Sequence, residues 1–504
     1  MALTDPSRPT DVALLTDLYE LTMAQGLWEH GKLEERDCFT AFYRDHPFGS
    51  AYAVMCGTAE LADLVENTRF TSEDIDYLAS LKAPAGGALF KPGFLEYLRD
   101  FRMHVDIDAV PEGELVFARE PMVRVMGPAL ECQMLETALL NTINFQTLVA
   151  TKTARVVGAA KGRPVAEFGL RRAQGPDGGM AVARASYVAG CASTSNVLAG
   201  RKYGIPVSGT HAHSWVMSFE TELEAFRAFA ATSPNNCTLL IDTYDVREGV
   251  ENAITVAHEM EARGERLAGI RIDSGDLARL SKYVRGRFDE EGLEYVKIVV
   301  SNDLDEYTIQ SLLDQGAPID SFGVGTKLAT CYDQPALGGV YKLAARRDPG
   351  DAAWTPVMKL SEQPYKRTIP GVQQVRRYFD DAGSPVCDMI YDEAYLEGAG
   401  DARGTTLVAV NDAALVTSVA GMEYRELLEP VVRDGHAVAP REPLTAARER
   451  CASALAALDP EYKRFLYPQS YIVGMEAGLA RVRDELVRER MNAAASPMPW
   501  KAPK

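Results

Sequence analysis

Two stretches of the sequence decide the fold: TLLIDTYD (residues 238–245) and GIRIDSGD (residues 269–276). Each is a short apolar run that ends in an aspartate and a polar loop, and a helical pattern follows each one. Similar apolar runs recur between residues 165 and 324. Alternation of buried strands and helices favours a parallel sheet, and so many units suggest that the sheet closes into a barrel. In such folds the chemistry lies at the carboxyl ends of the strands.

The middle of the chain carries most of the predicted elements. The predicted strands cover 165–168, 204–208, 238–242, 269–272, 298–301 and 322–324, and the predicted helices cover 223–230, 246–263, 276–291 and 305–315. Apolar spacing also predicts a helix over 17–31 and a long buried helix over 130–153.

Beyond residue 342 the alternation fades. Residues 346–355 are rich in Asp, Gly and Pro and resemble a loop, 375–433 look like short strands and turns, and 443–490 look helical at both ends. The tail after Ala493 is predicted to be extended or disordered. No internal repeat is evident.

The composition is that of a soluble globular protein of the size of an enzyme. The chain has 504 residues, of which 46% are hydrophobic and 25% charged, and its net charge is −18. This acidic balance disfavours a broad surface for nucleic acid or anionic lipid, so any anionic ligand needs a local positive site. The eight cysteines are scattered singly, which argues against a zinc site or a disulfide framework and favours a reducing compartment. No long apolar stretch occurs, and we expect a cytoplasmic protein.

Polar residues that could carry chemistry follow the predicted strands. Phe168 stands just before Arg171 and Arg172, which suits the stacking of a planar ring beside an anion, although a core Phe with surface arginines is the alternative. The loop SGTHAHS (208–214) offers two histidines, and either could be structural. A metal site built on both is disfavoured because no third ligand is nearby.

Four aspartates mark the two deciding stretches. Asp242 and Asp273 close the strands, where a magnesium ligand or a carboxylate that orients a histidine belongs. Asp245 and Asp276 could simply cap the helices that follow. The sequence SFGVGT (321–326) supplies glycines and a hydroxyl after the last strand, a pattern suited to binding phosphate.

Taken together, these motifs resemble the nicotinate phosphoribosyltransferases of NAD salvage. The resemblance runs in order through TDLYELTM (16–23), NFQT (144–147), 167–179, GTHAHS (209–214), DTY (242–244), RIDSGD (271–276), SND (301–303), GVGT (323–326) and GGVYK (338–342). So many motifs in one order cover most of the chain.

The resemblance implies a fold and a reaction. The fold would be α/β, an irregular (β/α) barrel of the type II phosphoribosyltransferase kind at 136–344, with a second, mixed α/β sandwich-like domain formed by 1–135 and 345–440, and a helical C-terminal region and tail at 441–504. The reaction would form nicotinate mononucleotide and pyrophosphate from nicotinate and phosphoribosyl pyrophosphate. It would be a ligase-type transfer coupled to ATP hydrolysis through a phosphohistidine, with Mg²⁺ as cofactor.

The resemblance also implies residue roles. The spacing of the Gly-Thr-x-Ala-His motif selects His213 over His211 as the phosphorylated histidine. Asp242 and Asp273 would orient it or work with Mg²⁺, with Asp273 the candidate ligand. The nicotinate contacts would be Tyr19, Phe168, Arg171, Thr210 and Arg271, and the phosphoribosyl pyrophosphate contacts would be Arg171, Gly325 and Thr326. Tyr19 would reach in from the second subunit of a homodimer.

The choice between nicotinate and nicotinamide rests on residues 192–197. The nicotinamide-specific relatives carry an aspartate in this stretch, whereas ASTSNV here contains no acid. A carboxylate would repel nicotinate, and Ser195 or Asn196 does not, so nicotinate is favoured. A metabolite sensor that keeps the same pockets is the alternative, but it would not need a phosphorylatable His213. The arginines at the strand ends would bind the anions, and the acidic excess is expected on the outer helices.

Overall fold

The computed structural model describes residues 13–360, 367–396 and 404–494. The predicted extended tail after Ala493 lies almost entirely outside the described residues. The chain divides into two compact units, described separately below. Unit 1 comprises Met1–Thr147, Leu337–Pro443 and Ser453–Lys504, and unit 2 comprises Leu148–Ala336 and Leu444–Ala452. The domain boundaries inferred from the sequence stay predictions.

The helices, in chain order, are α1 (Leu18–Glu29), α2 (Leu61–Asn67), α3 (Ser72–Ser80), α4 (Pro92–Arg99), α5 (Ala129–Met134), α6 (Glu136–Ala159), α7 (Gly175–Val188), α8 (Val197–Tyr203), α9 (His213–Met217), α10 (Glu222–Thr232), α11 (Val246–Glu261), α12 (Leu277–Glu290), α13 (Glu306–Asp314), α14 (Thr326–Ala329), α15 (Glu393–Leu396), α16 (Leu444–Ala457) and α17 (Ala477–Ala494).

The strands are β1 (Arg36–Tyr43), β2 (Ala53–Val54), β3 (Asp106–Ala109), β4 (Leu115–Val116), β5 (Val123–Pro128), β6 (Val165–Glu167), β7 (Ser193–Thr194), β8 (Thr238–Leu240), β9 (Gly269–Ile272), β10 (Lys297–Val300), β11 (Ser321–Val324), β12 (Gly339–Arg347), β13 (Thr355–Pro356), β14 (Gln373–Phe379), β15 (Pro385–Asp392), β16 (Thr406–Ala409), β17 (Val416–Ser418), β18 (Glu423–Glu426), β19 (Glu429–Arg433), β20 (His436–Ala437) and β21 (Ile472–Glu476).

Unit 2 is built on one parallel sheet with the strand order β7-β6-β11-β10-β9-β8. Apolar side chains of its strands, such as Ile270, Ile298 and Phe322, are fully buried. Continuous apolar runs are typical of strands that are covered on both faces. Five of the six predicted strands are confirmed to within two residues at either end.

The prediction of a strand over 204–208 is wrong. Within this stretch, Val207 makes an isolated bridge to Thr194 in place of a strand. Gly204 has a left-handed backbone and ends α8, and Pro206 has no N–H to donate, so a regular ladder does not form here. The strand that contains Thr194, β7, spans two residues and gives no apolar run that the sequence could reveal.

The sheet is open at β7 and β8, which do not pair with each other in the described part of the chain. The segment that carries His211 contacts both of these edge strands. The Ser208 amide donates to the Thr194 carbonyl of β7 over 3.0 Å, and the Leu240 amide of β8 donates to Nε2 of His211 over 3.1 Å. The edges are thus occupied by an irregular segment, which reduces the number of unpaired backbone groups.

Aspartates begin the helices that follow the strands. The Asp245 carboxylate accepts the amides of Arg247 and Glu248 at the start of α11, and Asp276 accepts the Arg279 amide at the start of α12. The capping interpretation of Asp245 and Asp276 is therefore correct. Of the four aspartates in the two deciding stretches, Asp242 and Asp273 are therefore the ones that do not cap a helix.

Unit 1 contains two larger sheets, with the orders β13-β12-β1-β5-β3-β19-β20 and β17-β16-β21-β15-β14-β18, and the small sheet β2-β4. The single helix predicted over 130–153 is wrong at its start, because α5 and α6 are separate helices on either side of Leu135. The Glu20 carboxylate of α1 accepts the Thr137 amide over 2.9 Å, which satisfies a free donor in the first turn of α6.

A cluster of buried charges lies around Arg377 in unit 1. Its guanidinium contacts Asp388 at 2.6 Å and Glu114 at 2.7 Å, and the side chains of all three are 2% exposed or less. Glu120 is also buried, and burial together with the charge of Asp388 raises its pKa well above the ordinary value. Glu120 therefore holds its proton more tightly than an exposed glutamate does.

His46 of unit 1 gives unfolding a pH dependence. Its Nε2 accepts the Ala118 amide over 3.2 Å, and burial lowers its pKa from 6.5 to about 4. The unfolded chain then binds more protons than the folded one between these two pH values. The stabilisation is therefore fully present above pH 6.5 and is lost as the pH falls towards 4.

We expect this loss to reach about 3 kcal/mol in the free energy of unfolding. Urea denaturation of the wild type and His46→Gln across this pH range measures it, because glutamine keeps a hydrogen-bond acceptor and does not titrate. As the pH falls, the free energy of unfolding of the wild type should decrease relative to that of His46→Gln. A difference that stays constant with pH would contradict the prediction.

All eight cysteines are free and buried. Burial raises the pKa of Cys237 to about 11 and that of Cys38 to about 12, so these thiols stay protonated at neutral pH. None of the helices within the described residues is long and apolar enough to cross a bilayer.

Candidate active site

The carboxyl ends of β9 and β10 in unit 2 meet at Arg271. Its Nε donates to Ser301 Oγ at 2.7 Å, its Nη1 to Thr210 Oγ1 at 3.1 Å and its Nη2 to Asp273 Oδ1 at 2.8 Å. Ser301 also donates a short hydrogen bond to the same Asp273 oxygen. A guanidinium has five N–H donors. Three of them make the contacts that hold Arg271 in one orientation, and the other two are left for a ligand.

Phe168 lies beside this guanidinium, just after β6. Its amide donates to the Val324 carbonyl at 2.8 Å, and its ring centre lies 5.7 Å from the guanidinium carbon of Arg271. A Cβ at Gly323 would come within 2.6 Å of the ring, so the close approach of β11 requires glycine there. An aromatic face next to an arginine suits a planar anion.

The two strand-end aspartates have different environments. Asp242 Oδ2 accepts the Asp273 amide at 2.9 Å and the Ser274 hydroxyl at 2.6 Å, whereas its buried Oδ1 has no hydrogen-bond partner in the described part of the chain. Burial raises the pKa of Asp273, but the hydrogen bond from Ser301 and the charge of Arg271 outweigh it and lower the pKa. Asp273 is thus held as a carboxylate.

The two histidines of the 208–214 loop have different roles. His211 is 7% exposed, its ring packs edge-on against Phe229, and its Nε2 accepts a backbone amide of β8. Burial lowers its pKa, so it stays neutral as a structural residue. The side chain of His213 is 41% exposed at the first position of α9. Its Nδ1 lies 3.1 Å from Thr243 Oγ1, and its Nε2 lies 4.0 Å from Asp273 Oδ2.

The turn after β11 brings Gly325 and Thr326 close to the turn after β6. Gly325 precedes the single-turn helix α14, which begins at Thr326. A Cβ at Gly169 would lie 3.0 Å from the Gly325 carbonyl oxygen and closer still to Ala329, so the two turns are in close contact. Arg171 and Arg172 are exposed in a short 3₁₀ helix that follows Gly169.

Tyr19 lies on α1 of unit 1, where its side chain is exposed. The other predicted site residues belong to unit 2. The structure therefore brings together Phe168, Thr210, His213, Asp242, Arg271 and Asp273 through direct contacts or shared partners, and the role of Tyr19 stays a prediction.

The sequence patterns assign no role to two further residues that contact the site, Ser301 and Thr243. Ser301 connects Arg271 to Asp273, and Thr243 contacts His213. Both belong to motifs quoted above, but a serine or threonine after a strand is too common to reveal a contact. After Ser301, Asn302 and Asp303 have φ values of 97° and 40°, and two successive non-glycine residues in this region are a strained arrangement typical of functional turns.

Comparison with known proteins identifies the family. Three family models match in succession: the nicotinate phosphoribosyltransferase N-terminal domain at residues 14–144, the nicotinate phosphoribosyltransferase family at 164–382 and its C-terminal domain at 372–483. The nicotinate phosphoribosyltransferase of Bacillus subtilis is 40% identical over 92% of this chain and 93% of its own length. The human nicotinate phosphoribosyltransferase is 34% identical over 94% of this chain and 96% of its own length.

Solved structures agree with these matches. The crystal structure of human nicotinic acid phosphoribosyltransferase superposes with a TM-score of 0.82 at 32% identity, and the alignment covers 94% of this chain and all of that one. A nicotinate-nucleotide pyrophosphorylase from Pyrococcus furiosus has a TM-score of 0.68 at 20% identity over 91% of this chain and 98% of its own, which shows a shared fold. The chain belongs to the nicotinate phosphoribosyltransferase family.

Proposed function

We propose that this protein is an ATP-coupled nicotinate phosphoribosyltransferase. It would join nicotinate to the ribose carbon of phosphoribosyl pyrophosphate and release pyrophosphate, in the cytoplasm, as a step of NAD biosynthesis. The observation that carries the proposal is the position of Arg271 between the Phe168 ring and the Asp273 carboxylate. In this proposal the open sheet of unit 2 is the core of an irregular (β/α) barrel, with residues 206–211 between its edges.

Arg271 and Phe168 would bind nicotinate. The guanidinium contacts Ser301, Thr210 and Asp273, and its remaining N–H groups can pair with the nicotinate carboxylate. The pyridine ring would stack on Phe168. The pyridine nitrogen then attacks the anomeric ribose carbon while the bond from that carbon to pyrophosphate breaks, and the leaving group carries away the negative charge.

His213 would carry the phosphoryl group that couples ATP to the transfer. It is the more exposed of the two loop histidines, and an imidazole is nucleophilic at neutral pH. If Nδ1 donates its proton to Thr243 Oγ1, Nε2 is the free nucleophile and lies 4.0 Å from the Asp273 carboxylate. Nε2 would attack the γ-phosphorus of ATP as the bond to the bridging oxygen breaks and ADP leaves, and water would later release the phosphate. Phosphorylation would then order the surrounding loops and strengthen substrate binding.

The donors present fit Mg²⁺. The buried Asp242 Oδ1 has no hydrogen-bond partner in the described part of the chain, which suits a cation ligand, and Asp273 is a second carboxylate next to it. Within the described residues no group of three or more His, Cys, Asp or Glu side chains could hold a metal. Mg²⁺ is commonly held by one or two carboxylates together with substrate phosphates. When bound, Mg²⁺ would neutralise charge on those phosphates.

Other parts of the proposal rest on smaller observations. Residues 192–197 contain no acid, which supports nicotinate over nicotinamide. Leu15, Leu18, Tyr19 and Met23 expose a row of large side chains along α1 and the residues just before it, which supports a homodimer in which Tyr19 serves the neighbouring subunit. Arg171, Gly325 and Thr326 would contact phosphoribosyl pyrophosphate.

The direct test is a product assay with nicotinate and nicotinamide side by side, each with and without ATP. We expect nicotinate mononucleotide to form, faster with ATP, and little product from nicotinamide. Turnover of nicotinamide alone would reverse the assignment of substrate, and binding of nicotinate without turnover would favour the metabolite sensor.

Arg271→Ala should raise the KM for nicotinate by about tenfold to a hundredfold, because a charge-assisted hydrogen bond to the carboxylate is lost. The KM for ATP should change much less. Steady-state kinetics with each substrate varied in turn measures both values. Equal effects on the two KM values would show that Arg271 is not the nicotinate contact.

A further inference from the structure

We propose that Arg448, on α16, is a positioning residue that holds the strand end next to Phe168 and so tunes the binding of nicotinate. The inference rests on the proposed function for its substrate and goes beyond it, because it gives a role to a helix in which the sequence shows no motif. Arg448 belongs to the segment Leu444–Ala452, which is part of unit 2.

Arg448 binds the end of α7 and the turn that follows it. Its Nη1 donates to the Tyr187 carbonyl at 2.7 Å and, by a short hydrogen bond, to the Cys191 carbonyl, and its Nη2 donates to the Gly190 carbonyl at 3.0 Å. The guanidinium also lies over the Tyr187 ring, with its carbon 4.6 Å from the ring centre. The last carbonyls of a helix have no partner within the helix, and a cation is favourable at this end.

The turn that Arg448 binds leads directly into β7. This strand has two residues and lies at the edge of the sheet, so little pairing of its own holds it in place. The Ala192 amide donates to the Val165 carbonyl at 2.8 Å before the strand, and the Ser195 amide donates to the Glu167 carbonyl at 2.9 Å after it. Three carbonyls fixed by one rigid guanidinium anchor the start of this short segment.

The far end of β7 is connected to Phe168 through Glu167. Thr194 Oγ1 donates to one carboxylate oxygen of Glu167 at 2.6 Å, and the Gly169 amide donates to the other by a short hydrogen bond. Burial raises the pKa of Glu167, and each of its two oxygens has a donor. A shift of Thr194 would therefore move Glu167 and the turn that carries Phe168.

Two variants test the proposal in the full-length protein. Arg448→Met keeps the aliphatic part of the side chain and removes all three carbonyl contacts. Arg287→Met is the matched control, since Arg287 lies on α12 of the same unit and donates to Glu251 of α11 instead of to backbone carbonyls. Hydrogen exchange followed by mass spectrometry reports the protection of the amides of residues 189–196, and steady-state kinetics reports the KM values.

We expect Arg448→Met to speed exchange over residues 189–196 and to raise the KM for nicotinate about tenfold, because small displacements around a binding site have effects of this size. The KM for ATP should stay within about twofold, since the contacts of His213 are unchanged. Arg287→Met should leave the exchange of 189–196 and the KM for nicotinate as in the wild type. Arg448→Lys replaces the planar guanidinium by a single ammonium group, and it should raise the KM for nicotinate by less than Arg448→Met does.

Unchanged exchange in a folded Arg448→Met protein would overturn the inference, and so would faster exchange with an unchanged KM for nicotinate. If Arg448→Met does not fold, wild-type exchange and kinetics in Arg448→Lys would also overturn it. A wild type that forms no nicotinate mononucleotide would refute the proposed function instead. In that case the exchange of residues 189–196 still decides whether Arg448 holds the segment.

Discussion

Replacing His213 by alanine should abolish the acid-labile, base-stable phosphate that the protein acquires from ATP. The ATP-stimulated rate of nicotinate mononucleotide formation should fall by about a thousandfold, as expected when a nucleophile is removed. The reason is geometric: His213 is the loop histidine whose ring is accessible, with Nε2 facing Asp273 and Nδ1 next to Thr243. Incubation with radiolabelled ATP, followed by acid and base treatment, measures the phosphate.

His211→Gln is the matched control for this experiment. His211 lies two residues away, but it is buried and accepts the Leu240 amide, a contact that the glutamine amide oxygen can partly replace. We expect His211→Gln to retain the label, with some loss of thermal stability. Label in His213→Ala equal to that of the wild type would rule out His213 as the phosphorylated residue.

Arg377→Met should destabilise the protein by about 3–5 kcal/mol, because it leaves the buried carboxylate of Asp388 without its cation and Glu114 with Arg425 alone. Removing one partner of a buried ion pair costs more than the pair contributes, since the remaining charge has neither water nor a counterion. Asp388 lies beside Glu120, whose pKa is already raised, and would then have to take up a proton to stay buried. Thermal unfolding should show a fall of roughly 10 °C in the midpoint.

The neighbouring Arg376 provides the control. It lies on the same strand, its guanidinium carbon is 4.4 Å from the centre of the Tyr391 ring, and it contacts Glu426 at 3.3 Å with part of its side chain exposed. Arg376→Met should cost about 1 kcal/mol or less. Asp388→Asn should recover part of the loss caused by Arg377→Met. Equal midpoints for Arg376→Met and Arg377→Met would contradict the special role of the buried cluster.

The parallel core of unit 2 could be predicted from the sequence because its strands are continuous apolar runs. The apolar composition of residues 269–272 and 322–324 is enough to predict strands there. Asp242 and Asp273 mark where the strands at 238–240 and 269–272 end. The candidate site follows from this topology, since parallel strands bring their carboxyl ends to one edge.

The rest depends on contacts that no local pattern encodes. The two-residue strand β7 and the irregular segment that carries His211 are held by hydrogen bonds to residues far away in the chain. After the break at Leu135, the Thr137 amide donates to a carboxylate of α1, a contact that no local pattern reveals. Ser301 and Thr243 acquire their roles only when Arg271 and His213 come within hydrogen-bonding distance.

The roles of the site residues in the reaction are a separate matter. The geometry distinguishes a buried structural histidine from an accessible one, and helix-capping aspartates from the others. The phosphorylation of His213, the Mg²⁺ site near Asp242 and the contribution of Tyr19 to a second subunit stay predictions.

The burial of every cysteine has a practical consequence for spectroscopy. Maleimide and iodoacetamide dyes react with accessible thiolates, and the eight native thiols are inside the folded protein. A single cysteine introduced on the surface, for example at Tyr244 beside the site, should therefore accept a fluorophore selectively without removal of the native ones. The rate at which the native thiols are labelled would in turn measure how often the fold opens locally around them.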